Sequence, residues 1–140
     1  KNIAGDDVDA YQIVWLSGAR SEYVEIEPVQ YGWDTSIAIA SAPIASGELG
    51  RVWVDGIRQA LCDGSTGWSD GEFPRYAAVD PETSVLSSES DGPICVIGLS
   101  SSDDRVMVDL DRIDRGDCIY VWDGERWLRT EFIELMSDEW

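Results

Sequence analysis

Histidine is absent from the chain. Its absence removes the side chain that most often moves protons near neutral pH, the usual serine and cysteine triads, and most zinc and non-haem iron sites. Cations are scarce, with ten Lys and Arg against 28 Asp and Glu, so the formal net charge is −18. Those few cations are scattered singly from Lys1 to Arg129, whereas phosphate backbones are held by clustered Lys and Arg, and no direct contact with nucleic acid is expected. Long apolar runs are missing too: no window approaches the ~18–20 residues of a membrane-spanning helix, and residues 1–9 lack the apolar centre of a secretory leader. No membrane partner is expected. Cysteine is limited to Cys62, Cys95 and Cys118, an odd, widely spaced set without C-x-x-C spacing. It reads as buried thiols in a reducing compartment, the alternative being one disulfide and one free thiol. Neither a G-x-x-x-x-G-K-[ST] phosphate loop nor a G-x-G-x-x-G dinucleotide turn occurs, so no cofactor is expected.

What remains is apolar enough to fold. Hydrophobic residues make up 44% of the 140 and aromatic residues 10%, including seven Trp and five Tyr, a composition unlike that of a disordered acidic tail. The length suits one domain with one core. Short runs rich in Val, Ile, Tyr and Trp recur between Gly, Pro, Asp and Ser clusters, at 11–16, 23–30, 36–42, 51–54, 57–62, 73–79, 94–99 and 105–110. This cadence predicts a mainly β protein, a small antiparallel barrel or sandwich. Val106, Val108 and Leu110 alternate with Met107, Asp109 and Asp111, giving a strand with one apolar and one wet face.

Asp55-Gly56 lies between two such runs and suits a type I′ turn, which predicts a hairpin with Val54 facing Ile57 and Trp53 facing Arg58. Asp123-Gly124 repeats the device in a C-terminal hairpin. There a four-residue loop would set Trp122 opposite Trp127, and a two-residue turn would set Tyr120 there. Residues 131–139 space Phe132, Ile133, Leu135 and Met136 as a short helix would. Residues 63–71, 87–92 and 100–104 read as loops. The expected organisation is an acidic N-terminal arm (1–10), a β barrel or sandwich (11–112), and a C-terminal hairpin and tail (113–140) serving as a docking arm.

Few residues are singled out for chemistry. A carboxylate pair could cleave a glycosidic bond without His, but among 28 acidic residues some pair meets the spacing by chance, and solvated surface charge explains them. Asp109, Asp111, Asp114 and Asp117 could gather around Ca²⁺, yet they lack the spacing and central Gly of an EF-hand loop; no metal site is expected. Arg115-Gly116-Asp117 spells an adhesion tripeptide and is read as a turn. The side chains of most interest are Trp33, Trp68, Trp122 and Trp127, near loops or a hairpin, with Phe132 and Trp140 in the tail. All six are candidates for anchoring a protein interface, against the alternative of core packing beneath the loops.

The stretch Ser36-Ile37-Ala38-Ile39-Ala40, followed by Ile44-Ala45-Ser46-Gly47-Glu48-Leu49-Gly50-Arg51-Val52-Trp53-Val54-Asp55-Gly56, resembles small bacteriophage capsid decoration (cement) proteins. The likeness lies in a small-residue strand, an I-x-x-G-E-x-G turn and a V-x-V-x-G strand. Gly92–Leu99 and Arg105–Leu110 fit the closing strands, so the resemblance spans about residues 11–112. It implies a compact, often oligomeric β protein seated on a coat shell, with the major capsid protein or other virion subunits as partners, in a virion assembled in the host cytoplasm. Three other functions are weighed beside it: a tail or baseplate component, an acidic DNA mimic that inhibits a nuclease, and a carbohydrate-binding module.

Overall fold

The computed structural model describes residues 1–30, 36–64, 67–68, 70–113, 118–122 and 124–131. It is mainly β, in two antiparallel sheets, one curled into a half-barrel, with a separate two-stranded hairpin. The strands are β1 (Ile13–Ala19), β2 (Val24–Pro28), β3 (Ile37–Ala40), β4 (Val52–Trp53), β5 (Ile57–Leu61), β6 (Arg75–Val79), β7 (Leu86–Ser87), β8 (Ile94–Leu99), β9 (Arg105–Asp109), β10 (Cys118–Trp122) and β11 (Trp127–Glu131). The first sheet runs β2-β1-β3-β4, the second β5-β9-β8-β6-β7, and β10-β11 is the hairpin.

The first sheet is buried on both faces. Register sets Ile13 opposite Ile39, Trp15 opposite Ile37, and Ile39 opposite Trp53; these side chains face the half-barrel and join its core with Val96, Val106, Val108, Ile94 and Leu86. The alternate residues Val14, Ala38, Ala40, Leu16, Ile26 and Val52 form a second cluster with Val8 and Ile44. This explains why all four residues of the Ile-Ala-Ile-Ala strand are buried: the isoleucines fill the wider core, and the alanines let chain approach closely on the other side.

That covering chain is the N-terminal segment, which corrects the expectation of an acidic arm. Asn2 bridges Ile26 and Val8 bridges Ile44. Asn2, fully buried, donates through Nδ2 to the Asp6 and Ile44 carbonyls at 2.9 and 3.0 Å and accepts from the Ala4 amide at 3.0 Å. Its backbone donates to the Glu48 carbonyl and accepts from the Gly47 amide. Carboxylates at Asp6, Asp7 and Asp9 point outward while Val8 points in, a division that the acidic composition of the segment concealed. The I-x-x-G-E-x-G turn thus pins the front of the chain: Gly47 has φ +82°, and a Cβ on Gly50 would lie 2.4 Å from Ile44 Cγ1.

The half-barrel curls until the residue after β5 meets the far edge. Cys62 bridges Leu86 of β7, and the Asp63 amide donates to the Leu86 carbonyl. The curl is helped by a bulge at Ile97, where the β8–β9 register shifts. Close approach is essential where β8 begins. A Cβ on Gly92 would stand 2.5 Å from both the Ala77 carbonyl oxygen and Ala78 Cβ, so Gly92→Ala should cost about 1–3 kcal/mol through overpacking. A wild-type melting midpoint in that variant would contradict this packing.

The predicted Asp55-Gly56 hairpin is not formed. Gly56 does adopt positive φ, +78°, but β4 pairs with β3 and β5 pairs with β9, so the turn passes the chain from one sheet to the other. The Trp53–Arg58 pair survives without strand pairing, with the guanidinium 5.0 Å from the indole. On the β9 side, Asp109 is buried rather than wet, because its Oδ1 accepts the Asp111 amide at 3.0 Å and caps a single 3-10 turn, Leu110–Arg112.

Candidate functional site

Among the described residues, many polar side chains bond to groups of the chain itself. Asp63 Oδ1 accepts Trp68 Nε1–H at 3.0 Å, and Oδ2 accepts the Ser88 amide and hydroxyl, each at 2.9 Å. Arg75 lies 4.7 Å over the Trp68 ring, pairs with Glu72 and donates to the Ser88 carbonyl. Together they lock the barrel seam. Arg105 lies 4.3 Å over Tyr11, Arg58 covers Trp53, Arg20 pairs with Glu25 at 2.5 Å and Arg112 with Asp109 at 3.2 Å. These cations are spent on rings, carbonyls and single carboxylates, and most of the described acidic residues stay at the surface. Among the described residues no three His, Cys, Asp or Glu side chains converge as metal ligands, and no helix is long and apolar enough to cross a membrane.

The Cys62 and Cys95 thiols are free and buried. Burial pushes both ionisations above the ordinary 9.0; at Cys95 the Tyr76 hydroxyl and the Arg112 guanidinium partly oppose it. A thiol is neutral when protonated, so the folded state keeps protons that the unfolded state releases, and stability should fall as pH rises past about 9. Replacing both cysteines by alanine should flatten that decline in urea midpoints between pH 7 and 10. An identical decline in the variant would exclude the thiols as its source.

Large apolar side chains are exposed at Ile3, Val24, Leu49 and Leu99, and on both sides of one turn at Val54 and Ile57. Val54 and Ile57 flank the inter-sheet turn and are 58% and 54% exposed. Ile57 also forms a wall of a cleft of about 270 Å³ with Phe73, Pro74 and Ile97, edged by Asp109 and Arg112. Phe73 and Pro74, which precede β6, and Ile97, at the β8 bulge, form the other apolar walls.

The chain matches no family model, curated protein or solved structure. The site must therefore be read from its own geometry. Of the six aromatic candidates, Trp33, Phe132 and Trp140 lie outside the described residues, as do Asp114, Asp117, the Arg115-Gly116-Asp117 turn and all of the expected 131–139 helix except Glu131, which ends β11. Trp68 is only 3% exposed and belongs to the core, placed there by its indole bond to Asp63, so it is not available as a surface anchor. Trp122 stands opposite Trp127, the register of the four-residue loop. The hairpin is tied back to the barrel at Trp127, whose amide donates to Ser90 Oγ at 3.2 Å and whose carbonyl accepts the Asp91 amide at 2.8 Å. Val54, Ile57 and the cleft escaped the sequence reading because the expected hairpin paired the two apolar side chains with each other. The remaining signal was Ile57, an apolar residue directly after a turn.

Proposed function

We propose that this chain is a non-enzymatic virion structural protein of the capsid decoration type, which seats on a coat shell and holds neighbouring coat subunits together. The observation that carries this reading is the apolar opening formed by Val54, Ile57 and the cleft on a protein of net charge −18. Exposed apolar side chains beside a shaped recess, rimmed by charge, are what a protein interface requires. The rigid double-faced sheet supplies the scaffold, and the described polar groups serve the fold. The resemblance to cement proteins over residues 36–56 supplies the biological setting, and the I-x-x-G-E-x-G turn within it has a definite task in pinning the chain. The acidic field would steer the protein onto a basic coat surface. Several copies, one at each equivalent site of the shell, would then act together.

Quantitative mass spectrometry of gradient-purified particles tests this assignment. The expected result is a copy number comparable to that of the coat subunit. A few copies per particle would move the chain to the tail or baseplate, and absence from particles would remove the virion role.

A further inference from the structure

The backbone hydrogen bonds of β5 alternate between its two edges. Cys62 donates to Asp104, and Leu110 donates to Gly56. With the β5–β9 register of Arg58 opposite Val108 and Ala60 opposite Val106, Arg58 and Ala60 are the residues bonded to β9. Ile57, Gln59 and Leu61 therefore turn their amides and carbonyls to the other side. Leu61 is satisfied there, donating to the Tyr11 carbonyl at 3.0 Å, and beyond it Cys62 closes on β7. At Ile57 and Gln59 no described backbone group pairs with that outer edge, and Ile57 is the exposed wall of the cleft. An edge left unpaired among the described residues, beside an exposed apolar side chain, is a template for a further strand.

We propose that this edge accepts an extended segment of a partner protein, apolar in its middle and carrying Lys or Arg toward its ends, which adds itself to the half-barrel as a strand. The inference rests on the docking face identified above and specifies how that face holds its partner. Backbone bonds to Ile57 and Gln59 would supply affinity, and the side chain set opposite Ile57 would share its face and reach the cleft. Charge decides the occupant. Exposed Asp55 and Asp111 stand at one end of β5, where Asp111 accepts the Gly56 amide at 3.3 Å, and exposed Asp103 and Asp104 stand at the other. A second copy pairing antiparallel through its own β5 would bring those carboxylates onto each other, each copy carrying −18; a cationic segment would neutralise them.

Amide hydrogen exchange by NMR on the full chain tests this. In the free protein Arg58 and Ala60 should be protected while Ile57 and Gln59 exchange quickly. Adding a synthetic peptide of alternating Val and Thr flanked by Lys pairs should slow Ile57 and Gln59 by about tenfold or more, an effect weakened by salt. The same peptide with alternate amides N-methylated on the pairing edge should leave them fast. Protection elsewhere, equal protection by the N-methylated or a Glu-flanked peptide, or protection through self-association without peptide would each overturn the proposal. The particle is not involved, so the two readings fail separately. A chain that takes the peptide but is missing from virions keeps strand addition and loses the virion role, whereas an abundant virion component whose Ile57 and Gln59 stay exchangeable loses strand addition alone.

Discussion

Trp68→Ala should lower folding stability by about 3–5 kcal/mol, the range for truncating a buried large aromatic, and leave the variant partly unfolded near 37 °C. Three losses combine in it: the buried ring volume, the indole bond to Asp63, and the platform under Arg75. Asp63 and Arg75 also hold Ser88, so the damage should spread to the seam where Cys62 bridges Leu86. Trp68→Phe should retain most of the packing and lose the hydrogen bond, at about 1–2 kcal/mol. Urea unfolding followed by far-ultraviolet circular dichroism separates the two. A Trp68→Ala protein as stable as wild type would mean that the ring is a surface anchor after all.

The opposite behaviour is expected of Val54→Asp/Ile57→Asp. Both side chains are more than half exposed, so folding should change by less than about 1 kcal/mol. In the proposed decoration role, binding to coat shells should weaken by about 2–4 kcal/mol, roughly 30- to 1,000-fold, because the apolar centre of the interface would carry two more unpaired charges. Val54→Ser/Ile57→Ser separates the loss of apolar surface from the gain of repulsion, and should give a smaller defect. Co-sedimentation of labelled protein with shells reads both. Undiminished co-sedimentation of the Asp variant would place the interface on another face.

These two expectations mark the boundary of what the sequence disclosed. The β class followed from apolar runs of strand length between turn residues, and those at 94–99 and 105–110 fall almost on β8 and β9. Strand pairing was less legible, since turn chemistry acts over four residues while partner choice is decided by the whole core. Asp55-Gly56 is chemically able to close a hairpin, but Ile39 already offers Trp53 a partner in one sheet and Met107 offers Gln59 one in the other. Burial of Trp68 was hidden for a similar reason: its partners Asp63 and Arg75, and the Ser88 that both of them hold, come from three separate stretches. The short β7 fell inside a Ser-rich segment whose composition is that of a loop. Residues 1–9 look like a solvated arm because a single buried Asn and a single Val, set among carboxylates, leave no periodic signal.

In the proposed role a double-cored β scaffold works through an apolar, acid-rimmed face. The most direct measurement is titration of the purified chain onto purified coat-protein shells, with occupancy and the shell's thermal disruption temperature followed together. Saturable binding at one copy per equivalent site, with disruption shifted upward in proportion to occupancy and both effects lost in the Val54→Asp/Ile57→Asp protein, is the predicted result. Shells that melt at the same temperature with and without saturating protein would contradict it.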